Sequence, residues 1–356
     1  MLCFSKIVSS DQIYLISTSL QVGLIKTKSQ DEFNMHYDVP YKTKQFFFVL
    51  IKLSIVVGAF YFIYSKLSEN ENLKFNEFIA FLKENDTFSA KSIIFLLILT
   101  LFNWFFEILK WQNLVKTINQ ISFRNALEQS LGGLTASLIT PNRIGDYGAK
   151  AIYYAKPFRT KIVLLNLLGN MAQMTVTTIF GVIGFIIFVN RYQIDVNYYK
   201  LIKFGSILLL ISLFALVGVK QNRFKIKGFS FDRILNFIKK LGLKTHLING
   251  SLSLIRYLIF SFQFYYLLTM FGIDVDYTKA MVVITSMYFL ASIVPSISIF
   301  DVVIKGSVAV FLFSYVDVNE LTILTIVTLM WLLNFVIPSV FGSYFVLNFK
   351  LPHNEA

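Results

Sequence analysis

Two short strings in this chain bring charged residues together with residues that break helices. One runs Pro141-Asn142-Arg143-Ile144-Gly145-Asp146 and continues to Lys150; the other leads from Pro295 through Ser-Ile-Ser-Ile-Phe to Asp301 and Lys305. Proline lacks an N–H and glycine lacks a stiffening side chain, so each string interrupts a helix. A planar guanidinium such as that of Arg143 holds a phosphate through two parallel hydrogen bonds. The chemistry these residues offer is recognition of a lipid headgroup, with Arg143, Asp146, Lys150, Asp301 and Lys305 as candidates and Pro141, Gly145 and Pro295 at the turns. For Lys150 and Lys305 the plainer alternative is an i,i+4 pair with their own aspartates.

Further polar residues sit inside apolar stretches. Asn166, Asn170, Gln173 and Thr177 recur at i, i+4, i+7 and i+11, one face of a helix. They could line a headgroup path, or they could hold helices together by hydrogen bonds. Asn103, Glu107 and Lys110 form a second stripe, and Arg256 lies at a comparable depth to Glu107. Charges at membrane depth need a partner or water, so a structural Glu107–Arg256 ion pair is expected ahead of a substrate role. No Ser/His/Asp set, paired carboxylate cleft or phosphate-cradling glycine loop occurs, so no enzymatic activity and no cofactor are expected. His36, His246 and His353 are scattered through polar segments, and the single Cys3 excludes an internal disulfide; no metal site is expected.

These residues must be positioned by membrane-spanning helices. The chain has 356 residues, 56% apolar and only 15% charged, with a formal net charge of +13. A soluble domain is about 45–50% apolar and about a quarter charged, so an ordinary cytosolic enzyme is ruled out. Excess Lys and Arg in so apolar a chain points to loops against anionic headgroups rather than to nucleic acid. Six stretches approach the roughly 20 residues that cross a bilayer: 46–64, 92–118, 162–189, 201–219, 252–271 and 321–347. The third exceeds that length and should tilt. Basic loops follow the second and fourth stretches while the alternate loops are acidic or mixed, which places both termini in the cytoplasm of a multi-pass inner or plasma membrane protein. Phe231, Ile234, Leu235, Ile238 and Leu241 mark an amphipathic helix that lies on anionic lipid or packs on the protein's own loops. Phe75, Phe78, Ile79 and Leu82 mark a shorter one on the other side. Residues 1–45 match none of the spans; either Met35 is the biological start or the preceding residues are disordered. Residues 348–356 form a cytoplasmic tail.

Residues 126–140 and 280–294 are too short to cross. Pro141 stands fifteen positions after Ala126, and Pro295 fifteen after Ala280. Broken backbone at membrane depth is tolerated where protein or water satisfies it, so each segment reads as a re-entrant helical hairpin. Three spans separate the two, so they approach from opposite faces. The expected fold is therefore all-α and polytopic, about six spanning helices plus two re-entrant hairpins, with residues 92–219 and 252–347 as an inverted repeat.

At these residues the chain becomes recognisable. The string SLGGLTASLITPNRIGDYGAKAIYY, preceded by NWFFEILKWQNL, resembles the transmembrane region of lysylphosphatidylglycerol synthases and their stand-alone homologues, over about residues 46–347. Pro141-x-Arg143-x-Gly145-Asp146 is similar to that family's proline–arginine–glycine–acid motif, with Asp where Glu is common. In the second motif Pro295 and the acid Asp301 are kept while the glycines are absent. The resemblance implies a region that flips an aminoacylated phospholipid between leaflets. Only about nine residues follow the last span, so the synthase reaction is not expected. The expected function is a flippase or transporter for an anionic, aminoacylated or glycosylated lipid, with phospholipid or a lipid-linked glycan as its partner. The alternative is a non-transporting anchor or regulator of an envelope glycosyltransferase or lipid-modifying enzyme. The oligomeric state is left open.

The charge pattern predicts a topology. Cysteines introduced at Asn70 and Asp317 should react with an impermeant thiol reagent from outside the cell, and one at Lys225 should not. Labelling at Lys225 would reverse the orientation.

Overall fold

The structure, a computed structural model, describes residues 50, 53, 54, 57, 61, 89–138, 140, 143–194, 231–293 and 301–350, without the side chains of 231–235 and 301–304. The described residues form helices and no strand. They are α1 (Ala90–Val115), α2 (Phe123–Leu138), α3 (Ile144–Ile152), α4 (Lys156–Tyr192), α5 (Phe231–Lys240), α6 (Leu243–Met270), α7 (Tyr277–Ile293), α8 (Asp301–Phe313), α9 (Glu320–Trp331) and α10 (Ile337–Asn348). A single π turn, Leu332–Val336, joins the last two into one 29-residue apolar helix. The chain divides into two compact units, Met1–Ile51 and Lys52–Ala356, and α1 to α10 belong to the second.

Among the described residues, four helices are long and apolar enough to cross a membrane: α1, α4, α6 and the continuous α9–α10. They coincide with the second, third, fifth and sixth expected spans. The stretches 46–64 and 201–219, the short helix expected around Phe75, and residues 1–45 lie mostly or wholly outside the described residues. At about 1.5 Å per residue, the 37 residues of α4 rise about 55 Å, well beyond a hydrocarbon core of about 30 Å, so α4 tilts or projects from it. Local chemistry sets the helix starts. Ser89 caps α1 by accepting from the Ser92 N–H at 3.2 Å, and Asn319 caps α9 by accepting from the Leu321 N–H at 2.8 Å. At the start of α7 the Asp276 carboxylate accepts from the Thr278 side chain and from the N–H groups of Thr278 and Lys279, which hold its carboxyl below the usual carboxylate range.

Helices α2 and α3 pack on each other as one hairpin, and α7 and α8 as another. Around them α1 lies along α6, α2 lies on α10, and α7 lies on α4, while α3 rests on α4 and α8 on α9. Exchanging α1–α4 with α6–α10 maps the α1–α6 contact onto itself and each of the others onto a partner. The correspondence reaches single residues. Gly342 of α10 sits against the Leu131 carbonyl and the Thr135 hydroxyl of α2; Gly181 of α4 sits against the Thr285 carbonyl and the Phe289 Cβ of α7. Counted from Ala126 and from Ala280, the touched positions are five and nine residues along in both cases. Both glycines are required because a Cβ there would run into the facing helix.

Two apolar cores occupy opposite ends of α1. One gathers Leu96 with the far ends of α4 and α6 and with α7 to α9, through Phe188, Phe264, Ile284, Phe313 and Ile326. The other gathers Ile108, Trp111, Leu114 and Val115 with Ala126, Tyr154, Ile162, Leu165 and Leu241. Leu241, which follows α5, and the half-buried Phe237 dock on this second core, so the end of that amphipathic helix is held by the protein. The polar residues Thr100, Asn103 and Glu107 fall on α1 between the two cores.

Because Gly342 and Gly181 carry close helix contacts, overpacking them should cost about 1–3 kcal/mol. Gly250, inside α6 with open space beside it, should gain about 0.5–1 kcal/mol on substitution by Ala. Thermal unfolding of detergent-purified Gly342→Val, Gly181→Val and Gly250→Ala would check both signs.

Candidate functional site

The turn of the first hairpin is built from small and polar groups. Helix α2 ends at Leu138, and Arg143 opens α3 with a left-handed backbone, φ 55° and ψ 32°. Such a conformation is unusual for a residue with a Cβ. The Thr140 hydroxyl donates to the Ser137 carbonyl at 2.9 Å and accepts from the Gly145 N–H at 2.8 Å, which ties the two arms together. A Cβ on Gly145 would meet the Ala136 carbonyl, so only glycine permits that approach. Gly133 on α2 does the same for the Asp146 carboxylate, which lies where its Cβ would be.

Asp146 and Lys150 pair across one turn of α3 at 3.1 Å, and Asn166 of α4 bridges them. The Asn166 amide donates to Asp146 at 2.7 Å while its oxygen accepts from Lys150 at 2.9 Å. Lys150 is 3% exposed and its ammonium stands 4.6 Å from the Trp111 ring centre, a cation–π contact. Trp111 in turn donates to Gln129, which also accepts from the Tyr154 hydroxyl, both at 2.8 Å. One turn further along α4, Asn170 donates to the Tyr147 hydroxyl at 2.9 Å.

A second group of charges lies along α1. Glu107 accepts from Lys110 at 2.7 Å and from Arg256 of α6. Lys110 is 2% exposed. Arg256 also donates to the Asn103 side chain and backbone carbonyl, both at 3.2 Å, and to Gln173 at 3.2 Å. Gln173 itself donates to the Ser253 carbonyl at 3.3 Å, and Thr177 to the Gln173 carbonyl at 3.1 Å.

Below this group an amide network crosses the bundle. Asn103 donates to Asn334 at 2.8 Å; Asn334 donates to Gln263 at 2.8 Å; Gln263 donates to Thr100 at 2.9 Å and to the Leu96 carbonyl at 3.2 Å. Pro338 has no N–H to offer the carbonyl four residues earlier, that of Asn334. The Trp104 indole donates to that oxygen at 3.1 Å. The π turn over this stretch presents Phe335 to both hairpins: Arg143 stands 4.1 Å and Lys305 5.7 Å from its ring centre.

The structure thus gathers Arg143 and Lys305 at one ring, and Asp146, Lys150 and Asn166 into one bonded group. It joins Gln173 to the Glu107–Arg256 pair, and it sets Asn170 apart on Tyr147. Pro141, Pro295 and the side chain of Asp301 lie outside the described residues. Trp104, Trp111, Gln129, Gln263, Asn334 and Phe335 complete these groups and were not among the expected site residues. The legible signal was an amide-and-proline pair, Asn334 and Pro338, four residues apart inside an apolar helix. Among the described residues, no group of His, Cys, Asp or Glu comes together that could hold a metal. Among the described side chains of the two bonded groups, the cations Lys110, Lys150 and Arg256 face the carboxylates Glu107 and Asp146.

Glu107 is the shared partner of two cations. Glu107→Gln, which keeps the shape and removes the charge, should destabilise the protein by about 3–5 kcal/mol because it strands buried cations. A large fall in the unfolding midpoint in detergent is expected, and an unchanged midpoint would show that the pair is dispensable.

A search among curated proteins gives no significant match. The family model described as the lysylphosphatidylglycerol synthase TM region matches residues 49–342, from before α1 into α10. That match takes in all the helices that carry the polar groups, and the chain is a multi-pass membrane protein of the lysylphosphatidylglycerol synthase transmembrane-region family.

Proposed function

We propose that this protein carries an anionic, aminoacylated or glycosylated lipid between leaflets, its headgroup passing between the two hairpins without any covalent step. The family supports a lipid-related, transporter-like role. The observation that carries the finer reading is a cluster of three described cations, Lys110, Lys150 and Arg256, on two carboxylates, with Lys110 and Lys150 almost wholly shielded against the second apolar core. An uncompensated charge at that depth costs several kcal/mol, and a phosphate-bearing headgroup would neutralise it. Arg143 at the hairpin turn is the phosphate ligand in this reading, with Lys305 beside it on Phe335. Asp146, Lys150 and Asn166 close on one another when the route is empty and open to the headgroup when it is loaded.

The exchange of contacts between α1–α4 and α6–α10 supports an inverted repeat, with hairpins entering from opposite faces and the site between them. Alternating access would then follow from rocking one half against the other about the shared polar layer.

Purified protein in vesicles with fluorescent phosphatidylglycerol should move the label between leaflets. Arg143→Lys keeps the charge and loses the two-pronged grip, so transport should fall roughly tenfold at near-normal expression; Arg143→Ala should fall further. Equal activity in all three would reduce Arg143 to an anchor for the turn. No movement by the parent protein would favour the anchoring role for an envelope enzyme.

A further inference from the structure

Away from the hairpins, the last turn of α1, the loop after it and the first half of α6 enclose an open cleft of about 510 Å³. That volume falls within the range of small-molecule sites, about 300–1,000 Å³. One wall is apolar, from Leu109, Ile248 and Leu252; the rest carries donors, with Gln112, Asn113, Lys116 and Gln120. Gln112 donates to the Ile121 carbonyl at 3.0 Å and so fixes the loop as part of the wall. The amide nitrogen of Asn113, like the side-chain oxygens of Asn249 and Ser253 on α6, is buried and has no hydrogen-bond partner, a condition native proteins normally avoid.

The surroundings define what would satisfy that donor. The segments 116–127 and 236–252 carry Lys116, Arg124, Lys239, Lys240 and Lys244 and no acid. All five are exposed, and both segments border the apolar core at this end of α1. The exposed Leu243 and Leu247 on the first turns of α6 put apolar surface next to the charges. Donors above an apolar wall at the basic end of a membrane bundle match a phosphate with acyl chains attached. We infer that this cleft binds one anionic phospholipid of the adjoining leaflet, its phosphate held by Lys116 and by the Asn113 amide turned out into the cleft, and an acyl chain lying against Leu109, Ile248 and Leu252. The site is separate from the hairpin route and does not depend on transport.

Native mass spectrometry of the full chain in detergent, titrated with dioctanoyl-phosphatidylglycerol, tests this. One bound lipid should persist, with dioctanoyl-phosphatidylcholine held more weakly. Asn113→Leu removes an unpartnered donor and should unfold at or above the parent midpoint, while Lys116→Glu, exposed at the C-terminal cap of α1, should lower the midpoint only slightly. Each should weaken lipid binding about tenfold, while Lys279→Glu, on the loop side of α7, should leave it unchanged. Undiminished binding in Asn113→Leu and Lys116→Glu would overturn the inference. So would displacement of the lipid by millimolar inorganic phosphate, which would mark a site for a soluble anion. Because the readout is binding alone, its failure is distinguishable from a failure of lipid movement in vesicles.

Discussion

Glu107 carries the one negative charge that Lys110 and Arg256 share in the interior. Lipid offers no water to solvate either cation, so both must find their partner within the bundle. That requirement draws α6 onto α1, because Arg256 reaches Glu107 only when the two helices lie side by side. It also recruits the amides around it: Asn103 and Gln173 each take a further guanidinium hydrogen bond.

From Asn103 the constraint passes to the last span. Asn334 receives the Asn103 amide and hands its own to Gln263, so α1, α6 and the π turn are locked at one level. A proline four residues on would ordinarily leave a bare carbonyl in an apolar helix. The Trp104 indole fills that gap, and the local widening of the helix brings Phe335 under the cations of both hairpins. Structural satisfaction of buried polar groups and presentation of the functional candidates are therefore carried out by the same few residues. A π turn inside a helix is frequently found where function resides.

The family's transmembrane region here combines two kinds of surface. Between its apolar cores it holds a polar layer rich in donors; outside, residues such as Ile94, Leu101, Ile183 and Phe341 are exposed, as suits helices bathed in acyl chains. The two close glycine contacts allow hairpin helices to sit against spanning helices at backbone distance, a packing mode that lipid favours because apolar burial gives no driving force there.

The chain's own chemistry determined its class and its elements. Long apolar runs can form only helices in a bilayer, so α1, α4, α6 and α9–α10 were legible, as were the two short broken segments between them. The Pro141–Asp146 string and the Asp146–Lys150 spacing marked the first hairpin because helix breakers and i,i+4 pairs act locally. Which distant residues meet was decided by tertiary structure. Asn103 and Asn334 lie 231 positions apart, and neither a helical period nor a charge count relates them. The same holds for Asn166 between Asp146 and Lys150 and for Phe335 beneath Arg143 and Lys305, whereas the Glu107–Lys110 and Glu107–Arg256 pairs follow from helical spacing and common depth. Helical periodicity gives the face on which a side chain lies, but the partner depends on helix rotation and register, which only the packed bundle fixes.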